Sequence, residues 1–201
     1  MAGSAAVLAV AFLAGSVPFS WILGRFRGVD IRRRGSGNVG ATNLLRTCGT
    51  GVGVLGLFLD ALKGAAPVLL AGHLHMSLTI QSAAAVLTVV GHVLTPWLGF
   101  RGGKGVATAL GSLLVLATWP VLASLGVFLL VLVVFRFVSL ASLSAAVSLV
   151  PGSFLLMPGR ESLPVQVVCV LVALLVILRH LGNIRRLLRG EESRFSLGRR
   201  P

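Results

Sequence analysis

The sequence predicts an all-α integral membrane protein of about seven transmembrane helices, with the N-terminus outside and the C-terminus in the cytoplasm. Two observations predict this fold class. Of the 201 residues, 56% are hydrophobic and only 11% are charged, which is more apolar surface than one soluble domain can bury. The apolar residues also fall into runs of about 20, the length that crosses roughly 30 Å of hydrocarbon. We therefore expect a single polytopic membrane domain over residues 1–201.

The apolar runs also predict where the helices lie. The first run has no positively charged residue before Arg25, so it predicts a retained first helix and not a signal peptide. Arginines that follow this run favour a cytoplasmic flank at its C-terminal end. The clearest helices are predicted at approximately 4–24, 51–72, 78–98, 139–157 and 163–179, followed by a basic C-terminal tail at 180–201.

The stretch 106–135 is ambiguous because Trp119–Pro120 interrupts one long apolar run. A single helix there would place the arginine-rich tail outside, against the positive-inside rule. Two shorter helices, at 106–119 and 121–135, return the tail to the cytoplasm and bring the count to about seven. A count of about five has the same parity and is the alternative if one hairpin is only partly inserted.

The basic residues indicate what kind of partner the protein has. The formal net charge is +13, and most of the 18 lysines and arginines fall in segments predicted to be cytoplasmic. Such segments suit membrane lipid and phosphate-bearing substrates, whereas they offer no continuous face for nucleic acid. His73 and His75 have no further ligand beside them, so we expect neither a metal nor a cofactor.

The loop after the first helix has the composition of an anion-binding loop. Gly35 to Asn43 reads GSGNVGATN, with arginines on both sides. Glycines let backbone N–H groups converge on one anion, and arginine matches phosphate oxygens. For the arginine-rich start of the loop, contact with anionic lipid headgroups is an equal alternative. A dinucleotide fingerprint with the same glycine spacing is excluded, because charged residues and not an apolar strand precede it.

A second segment, Gly91 to Thr108, closes the third predicted helix and opens the fourth, and it carries Arg101 and Lys104 among glycines. The glycine spacing does not fit an ATP-binding P-loop. An anion at the N-terminus of that helix would be stabilised by exposed N–H groups and the helix dipole, although positive-inside charge on a tight turn is the alternative. In the second helix, Asp60 and Lys63 are three residues apart. We expect a structural ion pair, with Lys63 as an outer candidate for function.

A third polar cluster lies at the end of the last predicted helix. His180 and Asn183 share a face if this segment is helical, although a solvated helix end is the alternative for His180. Glu191 and Glu192 are placed to orient arginines or a substrate hydroxyl. Ser142, near the start of its helix, either faces an anion or packs as a small residue between helices.

Together these segments resemble the bacterial membrane glycerol-3-phosphate acyltransferases that use acyl phosphate. The strings GSGNVGATN, GGKGVAT and HLGNIRRL carry the resemblance, in the expected order along most of the chain. It implies transfer of a fatty acyl group to the 1-hydroxyl of sn-glycerol 3-phosphate, giving lysophosphatidic acid and inorganic phosphate in phospholipid biosynthesis. It further implies the bacterial cytoplasmic (inner) membrane, a site facing the cytoplasm, no coenzyme A or acyl carrier protein as donor, and functional coupling to the enzyme that produces acyl phosphate.

The resemblance also implies roles for particular residues. His180, Asn183 and Lys104 would be catalytic. The substrate-binding residues would be Ser36, Gly37, Asn38, Thr42, Asn43, Arg46, Gly102, Gly103, Gly105, Ser142 and Glu192. A phosphate or organic-anion transporter is the alternative function. It is disfavoured because all the anion-binding motifs fall on one predicted side of the membrane, whereas a transporter needs access from both.

Overall fold

The structure is a computed structural model that describes residues 2–195, and within that range its regular elements are all helices. Hydropathy explains this, because a backbone in lipid must satisfy its own hydrogen bonds and an α-helix does so within one segment. The described residues form two compact units, 2–112 and 113–195.

The first unit contains five complete helices and the start of a sixth. Pro18 separates the first two helices, because proline has no N–H to donate to the preceding turn. They are α1 (Ala2–Ser16), α2 (Phe19–Phe26), α3 (Ala41–Cys48), α4 (Thr50–His73) and α5 (Leu78–Val93), and α6 (Val106–Leu116) follows a 3₁₀ turn at Pro96–Leu98.

Small residues let the helices of the first unit approach closely. A Cβ atom on Gly15 or Gly91 would collide with backbone atoms of Thr88 or Phe12, so α1 and α5 touch through their main chains. Gly64 on α4 and Gly111 on α6 lie equally close to their neighbours. Such contacts are the usual way in which membrane helices pack without a hydrophobic driving force between them.

The second unit contains α7 (Thr118–Phe135), α8 (Val138–Leu156), α9 (Leu163–Arg179) and α10 (Leu181–Leu188). Within it α8 packs against both α7 and α9. The chain bends by 56° between α9 and α10. This bend turns the basic segment after His180 away from the axis of the apolar helix.

The structure confirms an all-helical membrane protein. By length and composition, five segments of the described chain could cross a bilayer: Gly3–Phe26, Thr50–His73, Leu78–Leu98, Thr118–Phe135 and Val138–Leu156. The bent pair α9 and α10 would make six, and the 11-residue α6 is a shorter apolar helix. The count of about seven and the orientation of the termini remain predictions.

Several helix boundaries differ from the predicted ones. The run predicted as one helix at 4–24 is divided at Pro18 into α1 and α2, and α10 lies within the predicted tail at 180–201. The interruption in the long apolar stretch lies at Ala117, not at Trp119–Pro120. Pro120 is instead the third residue of α7, where the helix has free N–H positions and proline removes no hydrogen bond. Likewise the helix predicted to end at residue 98 ends at Val93, because Thr95 before Pro96 adopts an extended conformation.

Candidate active site

One buried amide determines the shape of the glycine-rich loop in the first unit. Asn43, on α3, is only 2% exposed. Its Nδ2 donates to the carbonyl oxygens of Ile31, Arg34 and Asn38 at 2.7, 3.0 and 2.9 Å. Its Oδ1 accepts from the backbone N–H of Ser36 at 2.8 Å. The loop from residue 31 to residue 38 is therefore wrapped around this side chain.

The backbone conformation of this loop requires glycine at two positions. Gly35 and Gly37 have φ values of +60° and +72°, which residues with a side chain rarely adopt. A Cβ atom on Gly35 would also collide with Asn43. Asn38 closes the loop, since its Oδ1 accepts from the N–H of Gly40 at 2.9 Å, immediately before α3 begins. Thr42 then lies in the first turn of α3, where the helix dipole favours an anion.

The arginine-rich start of the loop contains a local ion pair. Asp30 accepts from Nε and Nη2 of Arg32 at 3.0 and 2.7 Å, and from the indole N–H of Trp21 at 3.3 Å. The Arg32 guanidinium holds the pKa of Asp30 well below its usual range. Arg32 also lies over the Trp21 ring, 5.3 Å from its centroid. Arg32 therefore has a structural partner, although it is exposed, as Arg33 and Arg34 also are.

The turn that carries Lys104 is held against the end of α5. The N–H of Gly102 donates to the Val93 carbonyl at 3.0 Å, and the N–H of Gly103 donates to the His92 carbonyl at 3.2 Å. A Cβ atom at Gly102 would collide with the carbonyl oxygens of His92 and Val93, and one at Gly103 would collide with the His92 ring. Gly105, with φ +82°, then leads into α6. Lys104 thus lies in a closely packed turn, between Gly103 and Gly105.

Hydrophobic packing joins the two glycine-rich segments of the first unit. Leu98, in the 3₁₀ turn before Lys104, forms one buried cluster with Ile31, Val39 and Leu44 from the loop and α3. Burial of such side chains contributes roughly 1.5–3 kcal/mol each. The loop held by Asn43 and the segment that leads to Lys104 therefore pack on the same buried cluster.

A polar cluster lies between the helices of the first unit. The predicted ion pair is present: Nζ of Lys63 lies 2.7 Å from Oδ1 of Asp60. Ser20 Oγ donates to Oδ2 of Asp60 at 2.8 Å, and Lys63 also donates to the Val17 carbonyl at 2.6 Å. His92 Nδ1 is 3.8 Å from Asp60 Oδ1. All four side chains are buried, which makes this a closed network and not a lone pair.

In the second unit, Glu192 is the centre of a hydrogen-bond network. Its Oε1 accepts from Ser139 Oγ at 2.7 Å and from Asn183 Nδ2 at 2.6 Å, and its Oε2 accepts from Arg186 Nε at 2.7 Å. Burial raises the pKa of this carboxyl, but the hydrogen bonds from Ser139, Asn183 and Arg186 outweigh it and leave the pKa below its ordinary value. Glu192 therefore stays ionised at neutral pH and orients the Asn183 amide.

His180 has a defined tautomer. It is 2% exposed at the bend between α9 and α10, and its Nδ1 lies 2.7 Å from the Val176 carbonyl oxygen. Because a carbonyl only accepts, Nδ1 must carry a proton, and in the neutral ring Nε2 has the lone pair. Ser142 is also buried, and its hydroxyl donates to the Val138 carbonyl at 2.8 Å.

Comparison with known proteins identifies the family. The profile of the family described as "Glycerol-3-phosphate acyltransferase" matches residues 5–190. The chain belongs to the glycerol-3-phosphate acyltransferase family. A relative from Trichlorobacter lovleyi, named glycerol-3-phosphate acyltransferase, is 46% identical over 188 residues, covering 94% of this chain and 95% of the relative. One of the same name from Prochlorococcus marinus is 44% identical and covers 94% and 96%.

Solved structures of a related acyltransferase have the same fold. The crystal structure of the integral membrane glycerol 3-phosphate acyltransferase PlsY (YgiH) in its glycerol 3-phosphate form superposes with a TM-score of 0.90 at 38% identity. Its lysophosphatidic acid form superposes with a TM-score of 0.89 at 37% identity. In both cases the match covers 96% of each chain. The protein is thus an integral membrane acyltransferase.

The acyltransferase fold groups the predicted site residues into two sets. The first set lies in the first unit and comprises the residues of the glycine-rich loop and of the Gly102–Gly105 turn, with Arg46 partly buried one turn after Asn43 on α3. The second set lies in the second unit, where Asn183 and Glu192 are in direct contact, His180 lies at the bend before α10, and Ser142 lies on α8.

Sequence reasoning missed three side chains of these networks: Ser20, His92 and Ser139. Only His92 had a usable signal, because a histidine inside a membrane-length apolar run requires a polar partner. Ser20 and Ser139 are small residues whose partners, Asp60 and Glu192, are far away in the chain.

Proposed function

We propose that this acyltransferase transfers a fatty acyl group from an acyl phosphate to the 1-hydroxyl of sn-glycerol 3-phosphate, producing lysophosphatidic acid and inorganic phosphate. One observation carries the proposal: nearly the whole chain matches an acyltransferase whose structures are described as glycerol 3-phosphate and lysophosphatidic acid forms. The basic, glycine-rich segments of the first unit support two phosphate-bearing substrates. The family name supports the acceptor, whereas the acyl phosphate donor rests on the motifs of the sequence.

The proposed reaction needs no enzyme nucleophile, because an acyl phosphate is already an activated anhydride. The acceptor hydroxyl oxygen attacks the acyl carbon, and the bond from that carbon to the phosphate oxygen breaks. The phosphate leaves with the bonding electron pair and ends with the hydroxyl proton. Catalysis then consists of holding two anions together and stabilising the charge that develops on the carbonyl oxygen.

In this proposal the first unit binds phosphate groups. The loop offers backbone N–H groups, hydroxyls and an arginine, and the turn offers a lysine before the N-terminus of α6. Asn43 contributes through the shape of the loop, since its amide is already bonded to four loop residues. The proposed residues are Ser36, Gly37, Asn38, Thr42, Asn43, Arg46, Gly102, Gly103, Lys104 and Gly105.

The polar residues around Glu192 are proposed, separately, to contact a substrate hydroxyl. We assign the hydroxyl contacts to His180 and Asn183, with Ser142 nearby on α8. Glu192 supports this set by holding Nδ2 of Asn183 at 2.6 Å. A fixed amide loses little entropy when it binds a hydroxyl, which favours precise placement of the attacking oxygen.

Cation distribution supports a site on the cytoplasmic side of the bacterial inner membrane. The exposed arginines of the first loop and the arginines of α10 fall in segments that the positive-inside rule assigns to the cytoplasm. Both proposed substrates are anions that would reach the protein from that side. Supply of the donor would come from a soluble or peripheral enzyme that makes acyl phosphate, to which this protein would be functionally coupled.

The proposal is tested by phosphate release from the purified protein in detergent. Palmitoyl phosphate is supplied with and without glycerol 3-phosphate, and lysophosphatidic acid is measured by mass spectrometry. We expect phosphate and lysophosphatidic acid in equal amounts and only when the acceptor is present. Acceptor-independent release would indicate simple hydrolysis. Absence of turnover in folded protein with several chain lengths, together with phosphate uptake by proteoliposomes, would indicate a transporter instead.

The base is tested by replacing His180 with glutamine. We propose that the donor phosphate itself takes the hydroxyl proton, and that His180 only orients the hydroxyl. His180→Gln should then lower kcat by less than about tenfold, whereas loss of a true general base costs about 10²–10⁴-fold. A histidine base would normally titrate between about pH 6 and 8. Because His180 is not the base in this proposal, the pH dependence of kcat over that range should be the same as in the unmodified protein. A much larger fall with a lost pH limb would establish a histidine base.

A further inference from the structure

The buried network around Asp60 connects three helices to the turn that carries Lys104. Ser20 on α2 and Lys63 on α4 hold the carboxylate at 2.8 and 2.7 Å. On its open side lies the imidazole of His92 on α5, with Nδ1 3.8 Å from Oδ1. That separation is too long for a direct hydrogen bond, but it leaves the ring and the carboxylate as neighbours in a buried, low-dielectric environment.

The opposite edge of the same imidazole faces the turn. A Cβ atom built on Gly103 would collide with Nε2 of His92, so the ring lies directly against the Gly103 backbone. The His92 carbonyl also accepts from the Gly103 N–H. His92 therefore contacts Gly103 through both its side chain and its main chain, and Gly103 is bonded directly to Lys104.

An ion pair that only neutralised two buried charges would not need this arrangement. Lys63 already neutralises Asp60, and the Val17 carbonyl gives the ammonium a second partner at 2.6 Å. A further polar ring between the carboxylate and Gly103 adds desolvation cost without improving charge balance. The position of the His92 ring is explained if the ring, itself held by Asp60, fixes the position of the turn.

We propose that Asp60 and His92 are positioning residues that hold the Gly102–Lys104 turn where it binds a substrate phosphate. This inference rests on the proposed function of that turn. Neither side chain touches the substrate in this account. The carboxylate orients the imidazole, the imidazole supports Gly103, and Lys104 is thereby placed against the phosphate oxygens. A misplacement of about 1 Å at such a site costs about 10²-fold in rate.

The test replaces His92 with phenylalanine, which keeps a ring against Gly103 but has no nitrogen facing Asp60. We expect kcat/KM to fall about 10–100-fold, mostly through KM for the phosphate-bearing substrates, while the thermal midpoint changes little. His92→Asn should recover part of the loss, because its side-chain nitrogen lies near the position of Nδ1. The matched control is Thr88→Val, a buried substitution one turn earlier on α5 whose hydroxyl bonds only within its own helix.

A second variant keeps the test decisive if His92→Phe folds poorly. Asp60→Asn combined with Lys63→Met removes both buried charges together, so neither is left uncompensated. We expect this double variant to lower kcat/KM as His92→Phe does. A triple variant that combines all three substitutions should show no additional loss, because the residues act in one chain of contacts. Additive losses, or losses that only follow the thermal midpoint, would overturn the positioning role.

Calorimetric binding of glycerol 3-phosphate, without any donor, separates this inference from the proposed function. Weaker binding by His92→Phe than by Thr88→Val supports the positioning role even if transfer is not observed. Equal binding and equal kcat/KM in these two variants would overturn it. Failure of the unmodified protein to transfer an acyl group while it still binds the acceptor would count only against the proposed reaction.

Discussion

Replacing Lys104 with alanine is expected to reduce acceptor-dependent phosphate release by about 10²–10³-fold. Lys104 lies in a turn in which Gly102 and Gly103 are hydrogen-bonded to the end of α5 at 3.0 and 3.2 Å. Because the backbone on the N-terminal side of Lys104 is fixed in this way, its ammonium can stabilise charge that develops during transfer with little reorganisation of the turn. The measurement is the initial rate with palmitoyl phosphate over a range of glycerol 3-phosphate concentrations, so that kcat and KM are obtained separately.

The matched control for Lys104 is Arg101→Ala, which removes one positive charge from the same turn. Arg101 is exposed, and exposed charges are screened within about 10 Å at ordinary ionic strength. We expect this variant to stay close to the unmodified rate. If both variants lost activity equally, and if salt reduced the difference between them and the unmodified protein, the turn would act through its general positive field. Lys104 would then not be a specific substrate contact.

Replacing Asn43 with alanine is expected to weaken substrate binding strongly and to destabilise the first unit. The variant leaves three carbonyl oxygens and one N–H of the loop without their partner. Each buried polar group left in this way costs about 1–3 kcal/mol, although water can reach part of this loop, so we expect roughly 2–4 kcal/mol in total. Because the loop loses its shape, kcat/KM should fall by at least about 10²-fold.

Asn43→Asp makes the prediction more specific. Aspartate keeps an acceptor for the Ser36 N–H but places a carboxylate against the carbonyl oxygens of Ile31, Arg34 and Asn38. Asn43→Asp should therefore be at least as damaging as Asn43→Ala, although aspartate has nearly the same size as asparagine.

The control is Thr47→Val, one turn later on α3, whose hydroxyl bonds only to carbonyls of its own helix and to the neighbouring Cys48. Thermal midpoints and kcat/KM are measured for all three variants. Normal activity in Asn43→Asp would contradict a loop held by the amide.

The membrane fold could be predicted from the sequence because its main determinant is local. A run of about 20 apolar residues has no lower-energy state than a helix in lipid, whatever the rest of the chain does. The predicted run at 139–157 and the helix Val138–Leu156 therefore differ by one residue at each end. Proline positions were harder to interpret, since Pro18 separates two helices whereas Pro120 lies inside the first turn of one.

The candidate site was predictable only as a set of segments. Glycine, arginine and asparagine together indicated an anion-binding loop, but they did not show which side chains build the loop and which face a ligand. Asn43 illustrates this limit, because it was predicted to bind substrate and the structure has it hydrogen-bonded within the loop. The carbonyls it binds come from residues up to 12 positions earlier.

By itself the sequence determined that the protein lies in a membrane, that its backbone is helical there, and that it carries glycine-rich basic segments. These properties depend on the chemistry of neighbouring residues. Only the tertiary structure decided that His92 lies between Asp60 and Gly103, and that Glu192 holds Ser139 and Asn183. Ser139 and Glu192 are 53 positions apart in the chain. Contacts over such separations depend on how helices pack, and small residues such as Gly64 and Gly91 set that packing through main-chain approach.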